Sequence, residues 1–199
     1  MKQIILASTS ARRKELMELL CLPFEAVASD YEEDMTLDLP PADLVMHLAL
    51  GKAQALTTRY PDALIVGGDT IVVLDDHRLG KPHTPERARE MLILLRGRTH
   101  QVMTGHAIID TKTGETKTAV SISDVTFTSY TDEEIERYVS TGEPLDRAGA
   151  YAIQGYASLF TEEIKGDYFG ILGMSVTTIT QLLDEFGINV WDEIIKKTA

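Results

Sequence analysis

Apolar positions along the chain fall into two periods, one of short unbroken runs and one of helical spacing. Residues 4–7 form a short apolar run, as a buried strand does, and a Ser/Thr cluster then leads into a helix from about Ser10 with apolar positions at Leu16, Met17, Leu19 and Leu20. Residues 24–28 read as a second strand and residues 29–41 as an acidic, Pro-containing loop. Residues 42–58 are spaced as a helix through Leu44, Val45, Leu48, Ala55 and Leu56. The apolar run at 63–74 is interrupted by Gly67, Gly68, Asp69 and Thr70, polar and small residues that need a reason inside a buried strand. Thr84 with Pro85 predicts a helix start, Thr at N-cap and Pro at N1, running to Leu95 before Gly97. Residues 101–110 and 115–129 predict two long strands joined around Lys112, Thr113 and Gly114, an antiparallel hairpin that makes the sheet mixed. Thr131 and Glu134 form a capping-box pattern ahead of a helix to about Ser140. A Gly-rich segment with aromatics spans 142–173, and helices at about 176–186 and 190–197 follow.

This order predicts an α/β fold. No internal repeat, low-complexity tract or long linker divides the chain, so residues 1–199 are expected to act as a single domain, with two lobes and a cleft between them compatible with that expectation. Hydrophobic residues at 44% and charged residues at 25% are those of a folded globular protein. The net charge of −12 disfavours long nucleic acid and acidic membrane as partners, so any phosphate site must be a local basic pocket. Cys21 is the single cysteine, and it reads as small core filler. No apolar run reaches the roughly 18 residues of a membrane span, and Met1, Lys2 and Gln3 lead straight into the first strand, so a cytoplasmic location is expected.

Four polar clusters carry the candidate chemistry. In "LASTSARRKELMELL", Arg12, Arg13 and Lys14 stand at a helix start, where the helix dipole disfavours cations by roughly 0.3–1 kcal/mol each. Lys14 lies four before Glu18 and reads as a solvated face residue. Arg12 and Arg13 lean over the core end, and an anion held by helix-end N–H groups, Ser8 or Ser10 hydroxyls and two guanidinium forks would reverse the cost. An exposed basic turn paired with carboxylates such as Glu15 is the alternative. In "GGDTIVV", Asp69 needs a partner: a metal ion, an attacking water that requires a general base, or simply a turn between two strands. In "LGKPHTPERA", Lys81 precedes the Pro-started helix and either reaches a phosphate or is solvated, while Lys52 snorkels or points into a cleft. In "DRAGAYAIQG", Arg147 and Gln154 bracket a small-residue and aromatic strand, and the Gln154 amide suits either a base edge or a backbone cap. Asp30, Glu32, Glu33 and Asp34 add oxygens that suit Mg2+ or plain solvation. HExxH, paired CxxC, GxSxG, Walker A and GxGxxG patterns are missing, against zinc hydrolase, serine hydrolase, P-loop and dinucleotide readings.

Taken in order, these clusters resemble the Maf family of nucleoside triphosphate pyrophosphatases, with "LGKPHTPERAREMLILLRGRTHQVMTG", "YVSTGEPLDRAGAYAIQG" and "IKGDYFGILGM" extending the match over nearly the whole chain. The resemblance implies a mixed, strongly bent sheet flanked by helices, two lobes about a central cleft, as in the ITPase-like folds. It implies cleavage of a nucleoside triphosphate to monophosphate and pyrophosphate with Mg2+ or Mn2+, a homodimer, and a link to cell division. It further implies Asp69 as proton acceptor for water, Arg12 or Arg13, Lys52 and Lys81 on the phosphates, Glu33 on water or, with Asp69, on metal, and Arg12, Thr70 and Gln154 in substrate choice. The "AIQG" form resembles the dTTP and UTP branch rather than the 7-methyl-GTP branch. Ala11 stands where the family usually has proline, Arg147 where it has lysine, and "GILGMS" where it has Gly-Leu-Pro. Competing readings are a phosphomonoesterase with an aspartyl nucleophile, for which the DxD spacing is missing at Asp69, and a nucleotide-sensing regulator of septum formation without turnover.

Overall fold

The computed structural model describes residues 2–198. The chain order is β1 (Gln3–Leu6), α1 (Ala11–Glu18), β2 (Glu25–Ala26), α2 (Pro41–Gln54), β3 (Ala63–Leu74), β4 (His77–Leu79), α3 (Pro85–Leu95), β5 (Thr99–Asp110), β6 (Thr116–Phe127), α4 (Asp132–Ser140), β7 (Thr161–Lys165), α5 (Tyr168–Ile171), α6 (Val176–Glu185) and α7 (Val190–Thr198). Hydrogen bonding orders the strands β2-β1-β3-β5-β6-β7, with β4 also on β3. β1 runs parallel to β2 and to β3, whereas β4 and β7 run antiparallel to β3 and β6, so the sheet is mixed as the pattern predicts.

Two compact units divide the chain. The first holds residues up to Asp69, residues 104–121 and residues from Gly173 on; the second holds Thr70–Met103 and Ile122–Leu172. β3, β5 and β6 each contribute residues to both. In the first unit, Ile5, Ile65 and Ile109 from three strands bury against Ala53 and Leu56. In the second, α3 and α4 cover Val72, Val102, Val125 and Phe127. Phe127 stacks edge-to-face with Tyr151 and with His100, whose Nε2 lies 2.8 Å from Tyr151 Oη. Burial of such an aromatic is worth roughly 1.5–3 kcal/mol, and the edge-to-face geometry adds about 0.5–1.5 kcal/mol per pair.

Local signals place the helix starts. Thr84 Oγ1 accepts the Arg87 N–H at 3.2 Å, with Pro85 at N1. Thr131 and Glu134 complete the reciprocal capping box. Other expectations need correction. β2 is two residues rather than five, and the second helix ends at Gln54, giving way to turns. Leu19 is 53% exposed because α1 has already ended at Glu18, and Cys21 is half-buried in a left-handed conformation rather than in the core. Between Arg147 and Gln154 there is no strand; a 3-10 turn at Ala148–Ala150 and a turn that begins at Ile153 replace it, because Gly149 and Ala150 both take positive φ. Two strands carried no apolar run. β4 closes a hairpin through Asp75 and Asp76, with Asp75 at φ 51°, and β7 is a polar strand of sequence TEEIK. No helix among the described residues is long and apolar enough to cross a membrane.

Candidate active site

Two glycines set the site in the first unit. A Cβ on Gly67 in β3 would stand 2.1 Å from the Ala49 carbonyl oxygen, and one on Gly105 in β5 would stand 2.2 Å from that of Val45. Helix α2 therefore lies with its backbone directly on the strands, an approach only glycine allows. Asp69, on the same face of β3 two residues after Gly67, then meets Lys52, one turn of α2 beyond Ala49. The Lys52 ammonium is 2.5 Å from Asp69 Oδ1 and 2.6 Å from Glu33 Oε1. Lys52 and Asp69 are 8% and 5% exposed. β3 is continuous through Asp69, so this carboxylate does not close a turn.

Glu33 reaches Lys52 from the acidic loop, and Tyr31 holds that loop to α2. The Tyr31 ring lies where a Cβ on Gly51 would be, 2.3 Å from Cζ. Gly51 and Tyr31 escaped the sequence reading, although a glycine inside an otherwise good helix was a signal of close approach. Asp34 serves the loop itself, accepting from the Thr36 N–H and hydroxyl.

Arg13 enters from α1. It is half-buried, and its Nε donates to the Gly173 carbonyl at 2.8 Å. A Cβ on Gly68 would fall 3.4 Å from Nε, so this strand passes directly beside the guanidinium. Burial pulls the Arg13 guanidinium below its ordinary value, opposed by the charges of Asp69 and Glu33. An exposed basic turn paired with Glu15 is thereby excluded for Arg13. Arg12 is half-buried next to it in the chain. Ser8 Oγ accepts the Ser10 N–H at 3.2 Å and shapes the entry to α1, whose first turn holds no acidic residue. The departing "GILGMS" segment has a defined role: Gly173 at φ 112° turns its carbonyl to Arg13, Ser175 caps α6, and His106 Nε2 accepts the Ser175 N–H at 2.9 Å.

Asp69 sits in competing fields. Burial pushes its carboxyl above the ordinary value, Lys52 and Arg13 pull it down, and Glu33 pushes it up again; the net direction is upward. Such a shift moves a carboxylate towards the range in which a general base works.

The second unit gathers the other candidates. Gly149 N–H donates to the Gly80 carbonyl at 3.0 Å and His83 N–H to that of Leu145 at 3.1 Å, tying the Lys81 loop to the segment that precedes Gln154. Lys81 pairs with Asp146 at 2.7 Å while staying exposed, and this contact holds the Asp146 carboxyl below its usual range. Arg147 adjoins Asp146, half-buried. Gln154 is exposed on a turn, and Thr70 is half-buried at the head of this unit's share of β3.

Residues 3–186 match the family model described as Maf-like protein. The chain belongs to the Maf family. A dTTP/UTP pyrophosphatase of Bacillus cereus is 47% identical over 190 residues, 96% of this chain and 98% of that one. Another Maf relative, a dTTP/UTP pyrophosphatase of Bacillus anthracis, is 46% identical over 190 residues with the same shares. A HAM1 protein from Coxiella burnetii has the same fold at a TM-score of 0.53 and 14% identity, covering 93% of this chain and 100% of its own. The Maf family and the fold inferred from the ordered motifs are both met.

Proposed function

We propose that the protein hydrolyses nucleoside triphosphates, dTTP and UTP foremost, between the α and β phosphates to give the monophosphate and pyrophosphate. The buried Asp69, held by Lys52 against Glu33, carries this reading, and the Maf relatives named dTTP/UTP pyrophosphatase support its substrates. Asp69 takes the proton of the attacking water, its affinity for that proton raised by burial. Lys52, Arg13 and Arg12, with Ser8 and Ser10 at the helix entry, hold phosphate oxygens. Lys81, Arg147, Thr70 and Gln154 of the second unit are assigned to phosphate and base on the family resemblance.

Asp69 and Glu33 both converge on one positive charge, the Lys52 ammonium, so the pair suits a divalent cation. Among the described residues no group of three or more His, Cys, Asp or Glu gathers. Mg2+ or Mn2+ would take these two carboxylates together with water and substrate oxygens, since such hard cations use oxygen donors and Mg2+ keeps several waters. When bound, the ion would neutralise charge developing on the phosphates. Asp69 and Glu33 would supply oxygens to that ion, and Lys52 would pair with a phosphate oxygen.

Incubation with a panel of triphosphates and Mg2+, separating pyrophosphate from orthophosphate, tests the proposal. Pyrophosphate from dTTP and UTP supports it. Orthophosphate alone, or preference for 7-methyl-GTP, overturns it. A homodimer and a cytoplasmic location belong to the same proposal.

A further inference from the structure

Gln154 stands on a turn whose backbone is held by one acid and one phenol. The Glu143 carboxylate accepts the Tyr156 N–H at 3.0 and 3.3 Å to its two oxygens, and Tyr138 Oη donates to it at 2.9 Å. The same phenol oxygen accepts the Ala152 N–H at 3.2 Å. The two backbone donors two residues before and two residues after Gln154 thus end on a single coupled pair of side chains. Gly155 lies so close that a Cβ there would stand 2.2 Å from the Glu143 carboxylate. Tyr138 is 3% exposed on α4, and burial pushes its phenol well above the ordinary value, so it remains a donor to Glu143. The Glu143 carboxylate is thus directed at the turn and at the phenol that also holds it, while Gln154 is exposed.

We propose that Glu143, acting with Tyr138, is a positioning residue for base selection: it fixes the 152–156 turn so that Gln154 presents its amide to the edge of the substrate base. This rests on the reading of Gln154 as a base-contacting residue. An amide reads a base only when its donor and acceptor are oriented, and a side chain on an unpinned turn does not discriminate. Glu143→Gln keeps the volume and one acceptor oxygen, but it removes the negative charge and puts an NH2 group where the second oxygen faces the Tyr156 N–H at 3.3 Å, so the hold on the turn is weakened. Tyr138→Phe keeps the ring and deletes the shared oxygen.

The test measures kcat and KM for UTP, dTTP and GTP, and competitive inhibition by inorganic tripolyphosphate, in wild type, E143Q, Y138F, Q154A and E143Q/Q154A. The proposal predicts that E143Q narrows the UTP-over-GTP ratio of kcat/KM about tenfold, the equivalent of one oriented hydrogen bond. The change lies in KM, Y138F reproduces it, and tripolyphosphate inhibition stays at the wild-type level. In the Q154A background E143Q changes the ratio no further. Folded, active E143Q or Y138F with unchanged base preference overturns the proposal, as does an E143Q effect equally large with Gln154 absent. If E143Q does not fold, Y138F against Q154A decides alone. A wild-type protein that turns over no triphosphate fails the functional reading itself, a result distinct from an active wild type whose variants keep their preference.

Discussion

Lys52→Met removes one charge from the centre of the site and keeps the side-chain length. In the wild type, Lys52 Nζ lies 2.5 Å from Asp69 Oδ1, an attraction of roughly 7 kcal/mol at an effective dielectric of about 20. Desolvation of both groups offsets much of it, but deleting one partner leaves the other buried and uncompensated, which costs about 3–5 kcal/mol. For a chain of this size that lowers Tm by roughly 6–20 °C. The pH dependence is the sharper signature. Asp69 already has a folded pKa above its unfolded value, and loss of Lys52 raises it further. A raised carboxyl contributes stability that is fully present below the unfolded pKa of about 3.9 and is lost as pH rises through the folded value. The deficit of K52M is therefore largest at neutral pH and shrinks on acidification. Urea denaturation followed by circular dichroism at pH 7.5 and 4.5 reads this directly, and D69N added to K52M should restore most of the lost stability at pH 7.5. A deficit under about 1 kcal/mol that neither changes with pH nor responds to D69N would refute the electrostatic account of the pair.

Asp69→Asn should retain a cooperative unfolding transition and lose about 10²- to 10⁴-fold in kcat, the range of a general base; wild-type rates in steady-state assays would remove Asp69 from that role. The sequence pattern alone suggests that Arg13→Ala relieves a helix-dipole cost and slightly stabilises the substrate-free fold. The bond from Nε to Gly173 reverses the sign, so R13A should lower Tm, by the equivalent of about 1–3 kcal/mol, as well as weaken turnover. His100 is 1% exposed, and burial, partly opposed by Arg98 and Asp124, lowers its pKa to about 4. Its contribution is present above the unfolded pKa of about 6.5 and is lost as pH falls from there to about 4, some 3 kcal/mol in all. H100F, measured by urea denaturation between pH 7 and 4, should show a shallower acid slope than wild type.

Chemistry carried by neighbouring residues was legible in the sequence. Thr84, Pro85, Thr131 and Glu134 mark helix starts because a cap is a contact within four residues, and the structure forms both caps. The long hairpin and the terminal helices show the same economy. Asp69 was visible as a charge that needed a partner, and Lys52 only as a lysine that snorkels or points into a cleft, but their pairing across 17 positions depends on α2 lying on the backbone of Gly67 and Gly105. Nothing in the local pattern states which helix lies on which glycine. The segment around Gln154 misled for a related reason: its small residues and aromatics suit a strand, yet positive φ at Gly149 and Ala150 and the Glu143 anchor turn it into a loop. β7 escaped because an edge strand of sequence TEEIK buries too little to leave an alternating pattern.

The products of UTP hydrolysis by the wild-type protein test the central claim most directly. With Mg2+ present, ion-exchange chromatography of the reaction should resolve UMP and pyrophosphate rising in a one-to-one ratio with UTP consumed. UDP and orthophosphate, or unchanged UTP at enzyme concentrations that bind it, would contradict the account.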